Sequence, residues 1–371
     1  MNNLHGILLA YRSDPALREL TQHRNTCSIP FGGRYRIIDF MLSSMVNAGV
    51  GDVGLIVNSQ YQSLLDHVGS GKEWDLSRMR GGLRILPPFS YSQSGSSAES
   101  RGRMDALVDV RSYLQKIRQD YVVLAWGDIV ANLPIAAAFE QHMETGADIT
   151  AVCTSTPAGD PRCCTYFTIG ADGNVTDVAV HPAAPMGVET LECYIMSKSL
   201  LLNLVDYAAA HRIHSFSEGV LLAMSGQLRI VPFLYSGYVA RVHSVASYFS
   251  KSMELLKPSV QKDLFSTVNP IKTKSVTLPA TYYGPDARSR GSFVADGCII
   301  DGEVENCILF RGVRVEKGAK VSNCILMQGT SVRADAELSY VITDKNVLIN
   351  PGRKLMGHAN YPLAIEKNAI V

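Results

Sequence analysis

Short apolar runs separated by longer amphipathic stretches make up the chain as far as about residue 280. The runs GILLAY, VGLIV, YVVLAW, DITAVC and LRIVPF predict buried β-strands. Intervening stretches such as DALVDVRSYLQKIRQ carry the period of amphipathic helices. Strands that alternate with helices predict an α/β domain with a mostly parallel sheet, whose ligands lie beyond the carboxyl ends of the strands.

After about residue 290 the chain repeats itself with a period of 17 residues. The units VENCILFRGVRVEKGAK, VSNCILMQGTSVRADAE and LSYVITDKNVLINPGRK begin at Val304, Val321 and Leu338. Apolar pairs separated by Gly, Asp or Asn predict three short strands per coil, stacked as a β-solenoid. The preceding stretch has several prolines and lacks a helical period, which predicts a linker or an irregular first coil. The predicted domain boundaries are 1–255 for the α/β domain, 256–290 for the linker and 291–371 for the solenoid.

The composition limits the classes of partner and ligand that the chain is expected to bind. Lys and Arg number 35 against 34 Asp and Glu, so no overall field favours nucleic acid or an anionic membrane surface. The N-terminal apolar run is too short for a signal peptide and no stretch has the ~20 apolar residues of a membrane span, so we expect a cytoplasmic protein. The eight cysteines lack the paired spacing of zinc sites, and we expect reduced thiols, with Cys298, Cys307 and Cys324 as small core residues.

The stretch LLAYRSDPALREL, residues 8–20, has the layout of a buried strand that turns into a helix at a nucleotide-binding edge. Its turn has no glycine, although glycine is what lets backbone N–H groups approach a phosphate closely. A second loop, GLRILPPFSYSQSGSSAESRGR, is rich in Pro, Ser and Gly and predicts a long mobile segment at the same rim, with its Ser-rich part from Tyr91 to Ser100.

Four further stretches follow in order: HRNTCSIPFGGRYRIIDFMLSSMVNAGV, SRGRMDALVDV, WGDIVANLP and YVARVHSVASYFSKSMELL. Together with the opening stretch they resemble the sugar-phosphate nucleotidyltransferases, and specifically the glucose-1-phosphate adenylyltransferase (ADP-glucose pyrophosphorylase) family. PFGGRYRIIDF with NAGV is the most specific match, and the resemblance covers nearly the whole chain. It implies a Rossmann-like, GT-A-like nucleotidyltransferase domain followed by a left-handed β-helix. It also implies conversion of ATP and glucose-1-phosphate to ADP-glucose and pyrophosphate.

In this family a Gly-rich turn, an Arg and a Lys bind the triphosphate, and two Asp carboxylates hold Mg²⁺. Three of the family's glycines correspond here to Tyr11, Arg12 and Asp14. The arginine of the turn corresponds to Ala16, and the phosphate-binding lysine to Thr26.

Other residues that the family uses around the implied pocket are also replaced in this chain. The adenine-side motif Gly-Thr-Ala-Asp-Ala corresponds to residues 102–106, with bulky Arg103 and Met104 at its second and third positions. His181 replaces the lysine that contacts the sugar phosphate. Asp128 remains of the two metal-binding aspartates, whereas Arg241 stands at the second.

Three lost phosphate contacts cost about 6 kcal/mol, or on the order of 10⁴-fold in rate. Arg241 would in addition repel a cation. We therefore expect no intact catalytic site, no Mg²⁺ site and no other cofactor, with Asp128 as a remnant. His211 and His214 are three residues apart but have no matching ligand nearby, so we expect no metal site there.

A basic strip consists of His23, Arg24, Arg34 and Arg36. In the enzymes that the chain resembles, basic residues at the positions of Arg24 and Arg36 contribute to an effector site for phosphorylated metabolites near the β-helix. The alternative is a structural ion-pair network of the two arginines with Asp39. Arg12 and Arg241 are open to internal pairing with Asp14 and Asp39 in the same way.

The predicted function is that of a non-catalytic, regulatory member, similar to the D-type subunit encoded beside the catalytic one in glycogen operons. The expected partner is a catalytic adenylyltransferase subunit in a heterotetramer, with a sugar-phosphate effector, and a homo-oligomer when the chain is alone. One alternative is a weakly active stand-alone transferase in which Arg12 serves the phosphates. The other is a metabolite-sensing protein that assembles through its β-solenoid.

Overall fold

The computed structural model describes residues 3–10, 14–57, 60–87 and 102–371. The positions Tyr11 and Arg12, and the predicted loop from Tyr91 to Ser100, lie outside the described residues. No helix in the described ranges is long and apolar enough to cross a membrane.

The helices are α1 (Ile37–Asn47), α2 (Gln62–Val68), α3 (Arg103–Asp109), α4 (Arg111–Gln115), α5 (Ile135–Thr145), α6 (Lys198–His211), α7 (Val245–Met253) and α8 (Pro258–Leu264). Short 3₁₀ helices cover Pro15–Thr21, Thr26–Ser28, Lys72–Trp74, Pro161–Cys163 and Glu254–Leu256, and a π-helical turn covers Ser217–Leu222.

The strands before the repeats are β1 (Leu4–Ala10), β2 (Pro30–Phe31), β3 (Tyr35–Arg36), β4 (Asp52–Val57), β5 (Gly82–Leu86), β6 (Tyr121–Trp126), β7 (Ile129–Val130), β8 (Ile149–Thr154), β9 (Thr165–Ile169), β10 (Val175–Val180), β11 (Val188–Ser197), β12 (Ile230–Leu234) and β13 (Ala240–Arg241). The repeat strands are β14 (Tyr282–Tyr283), β15 (Arg288–Arg290), β16 (Phe293–Val294), β17 (Ile299–Ile300), β18 (Glu303–Glu305), β19 (Ile308–Leu309), β20 (Arg314–Val315), β21 (Lys320–Ser322), β22 (Ile325–Leu326), β23 (Ser331–Val332), β24 (Glu337–Ser339), β25 (Val341–Thr343), β26 (Leu348–Ile349), β27 (Lys354–Met356) and β28 (Leu363–Ile365).

Two compact units make up the chain, and each is assembled from three separate segments. The first unit contains Met1–Arg12, Phe40–Ala240 and Thr267–Lys272, and the second contains Ser13–Asp39, Arg241–Ser266 and Thr273–Val371. These discontinuous units differ from the continuous ranges 1–255, 256–290 and 291–371, which stay a prediction of domain boundaries.

The first unit is built on one large sheet. Its strand order is β10-β9-β11-β6-β1-β4-β5, and β8 joins β11 and carries β12. The predicted apolar runs are β1, β4, β6, β8 and β12, so all of them form strands of this sheet. Strand β1 pairs in parallel with β4 and β6, whereas β11 runs antiparallel to β6 and β8. The predicted α/β fold with a mostly parallel sheet is confirmed.

The carboxyl ends of β1 and β6 lie side by side, because the register pairs Leu9 with Trp126. Gly127 and Asp128 therefore leave the sheet at the edge where α/β folds place their ligands. Behind this edge the Trp126 ring packs edge-on against Tyr194, and both rings contact Phe216 at centroid distances of 5.0 to 5.8 Å. The end of β6 is therefore packed against an aromatic cluster.

The repeats of the second unit form a left-handed parallel β-helix with three five-stranded sheets, which confirms the predicted solenoid. Glu303, Lys320 and Glu337 stack in register at the predicted interval of 17 residues. Cys307 and Cys324 also lie 17 residues apart and are fully buried in the core of the helix, as expected for small core residues. The period keeps like residues above one another, so each coil buries its apolar pairs against the next.

The stretch 256–290 contains a helix although its sequence lacks a helical period. Pro258 opens α8, because proline is well tolerated in the first turn of a helix, where its missing N–H is not needed. Further along, β14 pairs with β17 and β15 with β18, so this stretch also supplies strands of the first coil. The prolines mark the beginning of a helix as well as irregular chain.

Candidate functional site

The residues that replace the family's phosphate-binding turn have local structural roles where the structure describes them. An Asp14 carboxylate oxygen accepts a hydrogen bond from the Ala16 backbone N–H at 3.1 Å and thereby caps the 3₁₀ helix Pro15–Thr21. Ala16 itself is exposed. A carboxylate and a methyl group supply no positive charge, so neither side chain can neutralise a triphosphate.

Thr26 and His181 stand where the family has lysines, and their surroundings differ. Thr26 is fully buried in the 3₁₀ turn Thr26–Ser28, which Asn25 caps by accepting from the Ser28 N–H at 3.1 Å. His181 is exposed just after β10, with a left-handed backbone (φ 53°) and its N–H donating to the Cys164 carbonyl at 2.9 Å. Neither position carries a lysine ammonium.

The residues present do not fit the family's Mg²⁺ site. Asp128 is 4% exposed and Arg241 is 5% exposed. Mg²⁺ takes oxygen ligands, and a guanidinium has donors only, so Arg241 cannot replace the second carboxylate. Within the described ranges, no three His, Cys, Asp or Glu side chains are placed to hold a metal ion.

His211 and His214 have different partners. The His214 ring nitrogen Nδ1 lies 2.9 Å from both carboxylate oxygens of Asp105, which tie the start of α3 to the chain beyond α6. The His211 ring stacks on Tyr207 at 4.0 Å, and its Nδ1 lies 2.9 Å from the Tyr207 carbonyl. The two imidazoles therefore have separate structural contacts.

Arg103 lies at the carboxyl end of β6. Its guanidinium carbon is 5.0 Å from the centre of the Trp126 ring, and its Nη1 is 3.1 Å from a carboxylate oxygen of Glu192. Glu192 is 3% exposed, and its backbone is left-handed, with φ 52°. Sequence reasoning marked Arg103 only as bulky and missed Glu192.

The basic strip divides into separate groups. Arg24 is 3% exposed, and its Nη2 lies 2.9 Å from both oxygens of the Asp344 carboxylate. The partner of Arg24 is therefore Asp344 rather than Asp39, whose carboxylate accepts from the Arg36 backbone N–H at 2.9 Å. Pairing of Arg12 and Arg241 with Asp14 or Asp39 stays a prediction.

Lys345 follows Asp344 in the β-helix and lies in a strongly positive environment. Burial, then Arg36 and Arg24, lower the pKa of its ammonium to about 7, and only Asp344 acts in the opposite direction. Lys367 adds a further positive charge. We call Arg24, Arg36, Lys345 and Lys367 the cation cluster, and all four belong to the second unit.

Arg34 and His23 lie elsewhere. Arg34 is exposed and pairs with exposed Asp296 at 3.2 Å. Burial, and then the charge of Arg34, lower the pKa of Arg311, whose Nη1 donates to the Lys274 carbonyl at 3.2 Å. His23 is exposed.

A signal for the cation cluster is present in the repeat. Phe310, Met327 and Asp344 occupy equivalent positions in successive coils, and all three are almost fully buried. An acidic residue at a position that is otherwise apolar indicates a buried ionic contact, because a buried charge needs a partner. Sequence reasoning missed Asp344, Lys345 and Lys367 because it used the repeat only to find the fold.

Comparison with known proteins gives the family. A model described as "Nucleotidyl transferase" matches residues 6–228, and one described as "GlmU-like, C-terminal hexapeptide" matches residues 279–359. Glucose-1-phosphate adenylyltransferase of Geobacillus stearothermophilus is 32% identical over 322 residues, which is 85% of this chain and 82% of that protein. The chain belongs to the glucose-1-phosphate adenylyltransferase family.

Other relatives within the adenylyltransferase family carry a different name. Glycogen biosynthesis protein GlgD of Bacillus subtilis (strain 168) is 38% identical over 373 residues, covering 100% of this chain and 97% of that protein. GlgD of Geobacillus stearothermophilus is 35% identical over 86% of this chain and 83% of that protein. The resemblance to this family, drawn from the sequence motifs, is confirmed.

Proposed function

We propose that this chain is a regulatory, catalytically degenerate subunit of glucose-1-phosphate adenylyltransferase in glycogen synthesis. It adjusts a catalytic partner that converts ATP and glucose-1-phosphate to ADP-glucose and pyrophosphate. The similarity over the whole chain to proteins named glycogen biosynthesis protein GlgD supports the pathway. A cytoplasmic heterotetramer with the catalytic subunit is part of this proposal.

The residues around the implied catalytic pocket support the proposal that the chain is catalytically degenerate. Asp14 caps a 3₁₀ helix, Thr26 is buried in a turn, and the second carboxylate position holds Arg241. Phosphoryl transfer depends almost entirely on charge stabilisation and positioning, so these replacements remove what the reaction needs. We therefore propose that the chain alone has little or no activity and holds no Mg²⁺.

The observation that carries the regulatory part is the cation cluster itself, in which Arg36, Lys345 and Lys367 lie around the buried Arg24–Asp344 pair. The carboxylate nearest to these cations, Asp344, accepts hydrogen bonds at both oxygens from Nη2 of Arg24. A phosphorylated metabolite carries negative charge and accepts charge-assisted hydrogen bonds from arginine and lysine. We propose the cation cluster as the effector site.

Regulation requires that the effector bind one state of the assembly better than the other. The cation cluster joins the segment before α1, which carries Arg24 and Arg36, to the last coils of the β-helix, which carry Lys345 and Lys367. A bound phosphate would strengthen this connection within the second unit. If the geometry of the cation cluster differs between two states of the assembly, the effector binds these states with different affinities.

The test is a mixing experiment. The purified chain is titrated into a catalytic adenylyltransferase subunit, and pyrophosphate release from ATP and glucose-1-phosphate is followed with and without a sugar bisphosphate. We expect a changed maximal rate or effector response that is lost in the Arg36→Ala/Lys345→Ala variant and kept in the Arg34→Ala control. An unchanged rate and response would overturn the proposal, and rapid pyrophosphate release by the chain alone would favour the stand-alone transferase.

A further inference from the structure

Arg103 makes two contacts at the carboxyl end of β6 that the proposed function does not use. The Arg103 guanidinium lies over the Trp126 ring at 5.0 Å and is held by Glu192 at 3.1 Å. Its side chain is 29% exposed, whereas the Glu192 side chain is 4% exposed, so the pair reaches from the surface into the sheet. Both groups lie where α/β sheets bind their ligands.

The backbone around Glu192 shows that its position is enforced. The register between β11 and β8 shifts between Thr190 and Tyr194, and Glu192 lies inside this irregularity with a left-handed φ of 52°. Such a conformation disfavours residues other than glycine, asparagine and aspartate. Bulges of this kind re-aim side chains and are common beside active sites.

The N-terminal end of α3 fixes the other partner. Gly102 packs so closely that a Cβ there would lie 2.1 Å from the His214 carbonyl oxygen, and that oxygen accepts from the Met104 N–H at 3.0 Å. Asp105 holds the His214 ring at 2.9 Å. The backbone at Arg103 therefore cannot shift without breaking these contacts.

We propose that the Arg103 side chain closes a ligand crevice on the face of Trp126, with Glu192 as the residue that holds it closed. This inference rests on the proposed function. It adds a second cause for the loss of nucleotide binding: besides the lost phosphate contacts, the Arg103 side chain occupies the position of the base. The guanidinium is a planar group that stacks on the indole and donates N–H bonds to a carboxylate. A ligand that takes its place must share these properties, and an amino-bearing nucleotide base does.

A second observation supports a ligand position here. The Trp126 indole N–H is buried and has no hydrogen-bond partner among the residues that the structure describes. Buried donors are almost always paired in native proteins. An acceptor on a bound base or sugar would pair with this donor.

The decisive variant is Arg103→Ala/Glu192→Gln, which removes both charges together and keeps a carbonyl acceptor at position 192. We expect it to bind ADP-glucose about tenfold more tightly than the wild-type chain in isothermal titration calorimetry, and more tightly than UDP-glucose, whose base has no amino group. Ethylguanidinium should refill the space and weaken ADP-glucose binding. The matched control is Arg111→Ala, which removes an exposed arginine paired with Asp206 on neighbouring helices.

A folded double variant that binds ADP-glucose no better than the wild type, or that ignores ethylguanidinium, overturns the closure. If the catalytic partner still responds to the chain in the mixing experiment, this result leaves the regulatory proposal intact. If the double variant does not fold, Arg103→Lys decides, because it keeps a charge for Glu192 but loses the planar group. Arg103→Lys should then bind ADP-glucose more tightly than the wild type, and unchanged binding overturns the proposal.

Discussion

One nitrogen of the Arg24 guanidinium, Nη2, lies 2.9 Å from both oxygens of the Asp344 carboxylate, and neither side chain is more than 3% exposed. The pair joins the segment before α1 to the fourth coil of the β-helix, just after β25. Nη1 of Arg24 also donates to the Leu20 carbonyl at 3.3 Å. Arg24 is thus both a structural residue of the second unit and a member of the cation cluster.

Breaking this pair from one side should be costly. Arg24→Ala leaves a buried carboxylate without its cation, and we expect a loss of about 3–5 kcal/mol in the free energy of unfolding. Urea denaturation of the full chain, followed by circular dichroism, measures the loss.

Replacing both partners gives the control. Arg24→Met/Asp344→Leu removes both charges at similar volume and should stay within about 1 kcal/mol of the wild type. If Arg24→Ala were as stable as this double variant, the charge of Arg24 would not be needed to stabilise the buried Asp344 carboxylate.

Lys345 should destabilise the folded chain at and below neutral pH. Its folded pKa of about 7 lies below the usual 10.5, so the folded state binds fewer protons between these values and stability rises with pH across that window. We expect Lys345→Met to raise the free energy of unfolding by about 1–2 kcal/mol at pH 6, with the gain shrinking from pH 7 to 10.5.

Lys320→Met, at an exposed position of β21, is the matched control and should show no such pH-dependent gain. Urea titrations of the three proteins at pH 6, 8 and 10 provide the comparison. A gain for Lys345→Met that is equal at all three values would contradict the low pKa.

The same lysine should make anion binding depend on pH. A bound phosphate stabilises the charged ammonium and raises its pKa, so binding takes up a proton above pH 7. We expect the affinity for glucose 1,6-bisphosphate to fall by up to about tenfold per pH unit above pH 7. Calorimetry in buffers of different ionisation enthalpy would detect the proton uptake, and Lys345→Met should abolish it.

Particular residues show how far the sequence predicts this molecule. Strands β1, β4, β6, β8 and β12 were predictable because each is an apolar run. Strand β11 was missed because its sequence, VETLECYIMS, mixes acidic and apolar residues, although most of it is buried. Its acidic residues are buried through tertiary contacts, such as that of Glu192 with Arg103, which a local pattern cannot contain.

The candidate sites divide in the same way. Arg24 and Arg36 were found because a family motif includes them, whereas Lys345 and Lys367 come from coils more than 300 residues further along and meet them only through folding. The buried Asp344 breaks the apolar repeat of Phe310 and Met327, and this interruption is the local sign that was available. Lys345 and Lys367 were missed because they are far from Arg24 and Arg36 in the sequence.

Asp14 should stabilise the folded chain as a helix cap. Asp14→Ala removes the acceptor for the Ala16 N–H, and we expect a loss of about 1 kcal/mol in the free energy of unfolding. Asp14→Asn keeps an acceptor and should retain most of that stability. Thermal melts of the three proteins measure the difference, and equal losses for both variants would show that the charge matters rather than the cap.

Thiol reactivity should single out Cys163. All eight cysteines are free, and seven are buried, whereas Cys163 is partly exposed at the end of the 3₁₀ helix Pro161–Cys163. Burial raises the pKa of the Cys193 thiol to about 12 and that of Cys324 well above its usual value, so these groups stay protonated at neutral pH. We expect dithionitrobenzoate at pH 8 to modify about one thiol per native chain and all eight in urea. Cys163→Ser should remove the fast native reaction, and rapid modification of further thiols in the native variant would contradict the burial of the other seven cysteines.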